Sequence, residues 1–295
     1  MNNRKQHVIK MAHQLFIDKG FQATSIQDIL DYSGISKGTF YNYFSSKNEL
    51  LIALFRMIYK KLEKERNELL IGQDPSDIHI FIEQINLHLM ANRTNKLLTL
   101  FEEVLVSNDD ELKQYIKKGQ LRTLRWLYER FVDLFGETKR PYLLDCAIMF
   151  LGILHHNLKY YSMAHGPNSN IKEIVRYSVG RIVKVVQEVS EAEEQLIEPE
   201  LLDTWFPDCT NPDHLLQQEI FHTVLILKKT INTHEDQAKY IELLDFIQNE
   251  LLHSKPPRRF VIESALASLG ESKLLNENKS TEKLGKLVSE FFSVI

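Results

Sequence analysis

The stretch GISKGTFYNYFSSKNEL, residues 34–50, places hydroxyl groups, phenols and lysines close together near the N-terminus. Gly34 can adopt the left-handed conformation that ends a helix, and Ser36 is positioned to cap the next one. Phe40 and Phe44 stand four residues apart, so they share the buried face of a short helix predicted over residues 37–44. The open face of that helix is then left with donors, acceptors and one cation.

The segments on both sides of this stretch also have helical patterns. Apolar residues share one face over residues 8–16, and the Lys-Gly pair at 19–20 is expected to end this first helix. The sequence TSIQ, residues 24–27, predicts a capping box in which Thr24 caps a second helix. SKNE, residues 46–49, predicts another capping box, which opens a long fourth helix.

The order of these elements is helix, helix, tight glycine turn, short helix and long helix, which indicates a helix-turn-helix. At 1.5 Å per residue the third helix spans roughly 12 Å, which suits the major groove of DNA. Asn and Thr side chains can read base edges, whereas Tyr, Lys and helix N-termini hold phosphates. The sequence therefore predicts double-stranded DNA as a partner.

The net charge of −4 conceals a basic N-terminal region. Residues 1–62 contain nine Lys/Arg against four Asp/Glu, a net charge of +5, and the remainder contains 27 against 36, a net charge of −9. A basic lobe on an acidic body favours a polyanionic partner at one end of the molecule. Chance clustering of solvated lysines is the alternative on charge alone.

The composition also indicates which classes of protein to exclude. Cys146 and Cys209 form no CxxC pair, and the longest apolar run, residues 147–154, is too short to span a bilayer. The N-terminal segment is amphipathic rather than a continuous apolar signal sequence. No phosphate-binding glycine loop, metal-ligand set or nucleophile-base pair stands out. We therefore expect neither an enzyme nor a cofactor, and a cytoplasmic location.

About fifty N-terminal residues resemble the signature of the TetR family of bacterial transcriptional regulators. The matching positions are Ala12, Phe16, Gly20, Phe21, Thr24, Ser25, Ile29, Gly34, Ile35, Ser36, Tyr41, Phe44, Ser46 and Lys47. Two positions depart from the family pattern: Leu30 replaces the usual alanine, and Tyr43 stands where a histidine is common. The resemblance implies a DNA-binding domain over residues 1–48, followed by a regulatory and dimerisation domain.

The resemblance, together with the open face of the third helix, implies a set of DNA contacts. Helix-end, base-facing and phosphate-facing positions form this set: Thr24, Ser25, Ser36, Lys37, Gly38, Thr39, Tyr41, Asn42, Tyr43 and Lys47. Gly38 would permit close approach to the bases, and Lys47 would pair with a phosphate. The alternatives are that Ser36 only caps its helix, that Tyr41 lies partly in the core, and that Lys47 is merely solvated.

Helical patterns continue through the rest of the chain, so we predict an all-α fold. Residues 49–190 are expected to form the ligand-binding and dimerisation domain. Residues 191–295 are expected to be a C-terminal helical extension of that domain, which the resemblance does not cover; a small added helical module is the alternative. In the family, the last two helices of the body form a four-helix interface with a second subunit, which implies a homodimer. Gly152 and Gly180 fall within these two predicted helices, where close helix approach or simple tolerance would explain them.

A regulator of this type usually carries an apolar cavity among its middle helices. The candidate lining residues are Phe81, Ile85, Phe101, Leu105, Trp126, Arg130, His155 and Tyr160, each of which is alternatively plain core. Their sparse charge favours a hydrophobic or amphipathic effector. A metal is not expected, since the adjacent His155 and His156 diverge by about 100° around a helix and cannot readily share one ion.

Two functions of different classes are compatible with these patterns. The first is a dimeric repressor that binds a palindromic operator and is released by a small-molecule effector, without a membrane partner. The alternative is an effector-independent architectural DNA-binding protein whose C-terminal helices bind a protein partner. A cavity in the body would favour the first function, and a fully packed body the second.

Overall fold

The computed structural model is that of a helical protein. It describes residues 3–71, 73–106, 109–166, 169–205, 216, 219–220, 223–224, 226–228, 230–231, 236–253, 256–271, 275 and 278–294. Every regular element within these ranges is a helix, which confirms the predicted all-α fold class. The chain divides into two compact units.

The first compact unit consists of Met1–Leu69 and Ser76–Glu198. Its helices are α1 (Asn3–Lys19), α2 (Ile26–Ser33), α3 (Lys37–Tyr43), α4 (Lys47–Glu68), α5 (Ile78–Thr94), α6 (Leu97–Val106), α7 (Asp110–Phe135), a 3-10 turn (Glu137–Lys139), α8 (Arg140–His165) and α9 (Ile171–Ala192). The two helices predicted for the dimer interface correspond to α8 and α9, which contain Gly152 and Gly180.

The N-terminal helices share one core with the first part of α4. Phe40 is completely buried and Phe44 almost so, which confirms their predicted position on the inner side of α3. The rings of Phe16 and Phe21 pack edge to face with their centroids 5.2 Å apart. Since apolar residues of α4 belong to the same cluster, α3 and α4 are held by a common core.

Aromatic side chains fill the interior of the first unit between α5, α7 and α8. The ring centroid of Phe81 lies 5.6 Å from that of Phe131 and 5.7 Å from that of Phe150, and all three side chains are buried. Helix α8 packs against α7 and α9, and α9 also packs against α5.

The second compact unit consists of Leu70–Pro75 and Pro199–Ile295. Its described helices are α10 (Leu201–Thr204), α11 (Gln237–His253), α12 (Arg259–Gly270) and α13 (Lys279–Val294), and the described residues between 216 and 230 are helical as well. Buried leucines and isoleucines from these helices form a core of their own. Cys209 and part of residues 215–231 lie outside the described residues. The domain boundaries predicted after residues 48 and 190 stay predictions, because compact packing does not assign a role.

Candidate nucleic-acid interface

The turn between α2 and α3 is closed by its own residues. Gly34 has a φ of 66°, in the left-handed region, and its backbone N–H donates to the carbonyl of Leu30. Ser36 accepts the backbone N–H of Thr39 at 3.2 Å, so Ser36 caps α3 as predicted. The Ser36 and Thr39 hydroxyl oxygens also lie 2.9 Å apart. Both hydroxyls are therefore engaged in forming the start of α3.

The side of α3 opposite Phe40 is open to solvent. Lys37, Gly38, Tyr41 and Asn42 are exposed, and we call these four residues the recognition face. Tyr41 is 46% exposed, so the side chain belongs to the surface rather than to the core. Tyr43, which was also predicted to contact DNA, is half-buried and packs against the N-terminal core.

The cap of α2 lies one residue later than the sequence analysis predicts. Ser25, not Thr24, is the N-cap: its hydroxyl oxygen accepts the N–H of Asp28 at 3.0 Å, and the Asp28 carboxylate accepts the N–H of Ser25 at 2.7 Å. Thr24 is completely buried, and its hydroxyl donates to the carbonyl of Gly20 at 2.6 Å. The predicted TSIQ capping box is therefore wrong, and the Thr24 side chain is part of the packing beneath the loop.

Asp28 brings a negative charge to the start of α2. The Lys19 ammonium lies 2.8 Å from its carboxylate, and together with the Ser25 hydroxyl it holds the pKa of Asp28 well below the usual range. An acidic residue in the first helical turn stabilises the helix through its dipole. The Asp28 carboxylate lies in the first turn of α2, so a phosphate that bound at this helix end would have to compete with it.

Lys47 has a different role from the one the resemblance implies. Its ammonium group donates to three backbone carbonyls of the α1–α2 loop, those of Phe21 at 2.8 Å, Gln22 at 3.4 Å and Thr24 at 2.7 Å. It also lies 4.5 Å from the centroid of the Phe21 ring. Burial lowers the pKa of Lys47, and nearby carboxylates oppose that shift. All three N–H donors of the ammonium are thus directed into the protein.

Glu103 is a contact that the sequence analysis missed. This residue lies on α6, and its carboxylate accepts the backbone N–H of Gln22 at 3.0 Å. A Cβ placed on Gly20 would lie 3.3 Å from a Glu103 carboxylate oxygen, so the glycine gives α6 room to approach. The charge of Glu103 also partly offsets the lowering of the Lys47 pKa by burial. A carboxylate of the body and a lysine of α4 therefore hold the same loop.

Two further contacts tie α1 to the region where α5 ends and α6 begins. A ring nitrogen of His13 lies 3.3 Å from the carbonyl oxygen of Asn95, and the Lys96 ammonium lies 3.4 Å from the carbonyl of Ile17. Burial lowers the pKa of His13, and the contact with Asn95 partly offsets this. The helix-turn-helix is therefore bonded to the body at the start of α6 as well as through Glu103.

The eight residues predicted to line a ligand cavity do not come together. Leu105, His155 and Tyr160 are exposed, so these three cannot line an interior space with the others. Phe101 packs on Phe55 in the N-terminal core, with ring centroids 5.1 Å apart. The grouping of these residues around one cavity is therefore wrong, because helical periodicity identifies the inner faces but not which of them meet.

The remaining members of that set take part in packing and ion pairing. Phe81 and Ile85 are buried, and the Arg66 guanidinium stacks 3.9 Å from the centroid of the Trp126 ring. Arg130 is 3% exposed; its Nε donates to the Gln84 side chain at 2.9 Å, and a terminal nitrogen lies 2.6 Å from Asp133. These side chains occupy the interior themselves.

Other chemistries find no support in the part of the chain that the structure describes. Within it, no three His, Cys, Asp or Glu side chains gather closely enough to hold a metal ion. Burial, with a smaller contribution from Asp145, raises the pKa of the Cys146 thiol to about 11, so the thiol is mostly protonated at neutral pH. None of the described helices is both long enough and apolar enough to cross a bilayer.

The N-terminal region is similar to a known family and to a named repressor. Residues 8–54 match the family described as bacterial regulatory proteins, tetR family. Over 56 residues the chain is 36% identical to the HTH-type transcriptional repressor KstR2 of Mycobacterium tuberculosis, which is 19% of this chain and 28% of that protein. No solved structure matches the chain.

Two relatives from Bacillus subtilis (strain 168) match nearly the whole chain. The uncharacterized HTH-type transcriptional regulator YerO is 29% identical over 293 residues, which cover 98% of this chain and 96% of YerO. A second uncharacterized regulator, YuxN, is 24% identical over 308 residues, which cover 98% of this chain and 99% of YuxN. Similarity to these two proteins therefore includes the C-terminal hundred residues.

Proposed function

The chain is a transcriptional regulator of the TetR family with a DNA-binding helix-turn-helix, and from this premise we propose that it is a homodimeric repressor released from a palindromic operator by a small molecule. The observation that carries this proposal is the recognition face of α3. It presents a cation, a phenol and an amide to solvent beside an exposed glycine. These groups suit base edges and phosphates in a major groove.

Within the recognition face, each residue has a proposed role. Asn42 can make paired hydrogen bonds with an adenine, and Lys37 can donate to guanine or to a phosphate. Tyr41 offers its hydroxyl to a phosphate and its ring to a thymine methyl group. The Ser25 hydroxyl already caps α2, and the Thr39 hydroxyl lies 2.9 Å from the Ser36 hydroxyl that caps α3. Lys47 contributes positive charge to the interface rather than a direct phosphate contact.

Gly38 provides a test of close approach that does not disturb the fold. Among the described residues, a Cβ placed on Gly38 would meet only the Ser36 hydroxyl oxygen, at 3.9 Å, so Gly38→Ala fits the protein. Alanine should stabilise α3 by up to about 1 kcal/mol relative to glycine. We expect this variant to unfold at a higher temperature and yet bind DNA at least about tenfold more weakly, the equivalent of about 1.4 kcal/mol. Unchanged DNA affinity would show that the backbone does not approach the bases here.

A homodimer interface is proposed on the outer side of α8 and α9. Apolar side chains are exposed along both helices: Met149, Tyr160 and Met163 on α8, and Tyr177 and Val183 on α9. Gly152 and Gly180 are exposed on the same helices, and a Cβ on either would meet no described atom within 4 Å. These glycines therefore serve no close helix approach within the described part of one chain. A partner helix on this side would account for both the glycines and the exposed apolar surface.

Repression and release require two conformations with different operator affinities. A 100-fold change in affinity corresponds to about 2.7 kcal/mol of coupling between the ligand and the operator. The contacts of Glu103 and Lys47 with the α1–α2 loop offer a route by which a shift of α6 or α4 reaches the recognition face. The relative KstR2, named a repressor, supports repression rather than activation.

The test is selection of bound sequences from a randomised DNA duplex library with the wild-type protein, Lys37→Ala and Tyr41→Ala. We expect a motif with two inverted half-sites about 34–36 Å apart, which both variants lose or relax. Sedimentation should give a dimer that Tyr177→Asp dissociates, whereas Lys117→Asp, exposed on α7 and outside the proposed interface, serves as its control. Uniform, salt-sensitive binding without a motif would contradict the operator-binding repressor.

The architectural alternative is favoured by one observation. The residues predicted for an effector cavity either fill the interior or lie on the surface. A protein of that kind would bind DNA with the same affinity in the presence of any small molecule. Operator affinity measured with and without a ligand that binds the body therefore separates the two functions.

A further inference from the structure

A cleft opens between α5 and the beginning of α9. Asn86, Met90 and Arg93 line it from α5, where their spacing of four and three residues places them on one side of the helix. Residues 169–172 line it from the other side, and the cleft has a volume of about 290 Å³. None of the eight residues predicted from the sequence for an effector is among these lining residues.

Asn86 is the unusual residue of this cleft. It is 3% exposed, and neither its side-chain oxygen nor its side-chain nitrogen has a hydrogen-bond partner among the described residues. Gln84, two residues earlier, shows what a satisfied buried amide looks like here: it donates to the carbonyl of Arg66 and accepts from Arg130. Buried amides are rarely left without partners, because burial removes the water they would otherwise bond.

The opposite wall of the cleft is the N-terminus of a long helix. Helix α9 has 22 residues, and its N-cap residue Asn170 makes no side-chain cap hydrogen bond. The first backbone N–H groups of a helix lack partners within the helix and attract anions. Arg93 and Lys172 add positive charge at the cleft, and Lys172 lies 3.7 Å from Glu83.

We propose that this cleft binds a small carboxylate that carries a hydrogen-bond donor next to its acid group and a short apolar chain. The carboxylate bonds to the N–H groups at the start of α9 and to the nearby cations. The Asn86 side-chain nitrogen donates to the acid group, and its oxygen accepts from the adjacent donor of the ligand. Met90 and Ile171 contact the apolar chain.

Two features of the cleft favour this ligand class. Glu83 pairs with Lys172 and so reduces the positive charge at the cleft, which suits a monoanion better than a dianion such as a phosphate ester. The Asn86 amide needs both an acceptor and a donor, which a simple fatty acid anion does not supply. The role of this ligand as effector rests on the proposed function, whereas its binding does not.

Binding is measured by isothermal titration calorimetry on the full chain without DNA, in a buffer that contains no carboxylate. The probes are 2-hydroxyhexanoate, hexanoate and 1,2-hexanediol, which offer both groups, the acid alone, and hydroxyls alone. We expect 2-hydroxyhexanoate to bind about tenfold more tightly than either of the others, because each lacks one of the required hydrogen bonds. Absence of binding by 2-hydroxyhexanoate would overturn the proposal, as would equal affinity for all three probes.

Variants of the lining residues locate the binding site. Asn86→Leu should remove binding without lowering the unfolding temperature, because leucine fills the position and leaves no unpartnered amide. Lys172→Met should weaken binding by about three- to tenfold, while Lys184→Met, farther along α9, should not. Wild-type affinity in both Asn86→Leu and Lys172→Met would overturn the site. Since no DNA is present in this titration, its failure leaves the operator-binding proposal standing. Ligand binding that leaves operator affinity unchanged supports the site but contradicts release of the repressor by this ligand.

Discussion

The two connections within the helix-turn-helix are held in opposite ways. The α2–α3 turn is closed by Gly34, by the Ser36 cap and by a carbonyl of α2, all within a few residues. The α1–α2 loop is instead held by Lys47 from α4 and by Glu103 from α6. The turn therefore sets the local geometry of α3, whereas the loop depends on how the rest of the first unit is arranged. A change in the body can act on the loop without altering the turn.

The largest effect should come from removing the lysine that holds the loop. Lys47→Met keeps the apolar stem but leaves three carbonyls without their charged donor, so we expect a loss of about 2 to 3 kcal/mol in the free energy of unfolding. Urea unfolding followed by circular dichroism measures it, and amide hydrogen exchange should increase in residues 20–25. Lys37→Met, an exposed lysine on α3, is the control and should leave stability unchanged. An unchanged free energy of unfolding in Lys47→Met would mean that water replaces these hydrogen bonds at no cost.

The complementary change acts on the turn alone. Gly34→Val forces a β-branched residue into the left-handed region and should cost about 2 kcal/mol. Gly34→Asn should cost much less, since asparagine tolerates this conformation. Hydrogen exchange is expected to increase at the end of α2 and the start of α3, with residues 20–25 unaffected. If the loop amides also open in Gly34→Val, the two connections are not independent.

A smaller effect is expected at the carboxylate that α6 contributes to the loop. Glu103→Ala removes the acceptor of the Gln22 N–H and a charge near Lys47, which should cost about 1 kcal/mol. Operator affinity should change more than stability does, because the loop positions α2 and α3. Glu102→Ala, the exposed neighbouring residue, is the matched control. Equal DNA affinity in both variants would remove α6 from the proposed route of coupling.

The smallest effect is a pH dependence that arises at His13. Burial lowers its pKa from the ordinary value of 6.5, so the folded state binds a proton less readily than the unfolded state. The contribution of His13 to the free energy of unfolding is fully present above pH 6.5. It declines as the pH falls below that value and levels off below the lowered pKa of the folded state. His13→Gln should flatten this part of the stability profile, whereas His7→Gln, at an exposed position on α1, should not. An unchanged slope in His13→Gln would assign the dependence to another group.

The sequence predicts local structure well because caps and periodicity act over a few residues. The Gly34 turn, the Ser36 cap and the buried Phe40 all follow from chemistry within about eight positions of the chain. The cap of α2 is predicted one residue too early, because Thr24 and Ser25 are both good caps. Only the carboxylate of Asp28, at the third position after Ser25, decides between them.

Contacts between distant residues could not be predicted in the same way. Glu103 lies 81 positions from Gln22, and nothing in a helical pattern indicates that α6 reaches the α1–α2 loop. A lysine at position 47 is compatible with either a phosphate or a carbonyl partner. The folded structure places three carbonyls within reach of its ammonium group, and these are its partners. Asn86 is similar: a buried polar residue on α5 is visible in the sequence only as an interruption of the apolar side.

The second compact unit takes one piece, Leu70–Pro75, from the middle of the chain and the rest from residue 199 onward. During synthesis, the first piece leaves the ribosome about 124 residues before its partners begin to emerge, a delay of roughly 6 to 25 s at about 5–20 residues per second. The residues of this piece are without the rest of their compact unit throughout that interval. A nascent chain that stops at residue 198 would leave the piece without the remainder of its unit, so the C-terminal region completes a unit that begins at Leu70.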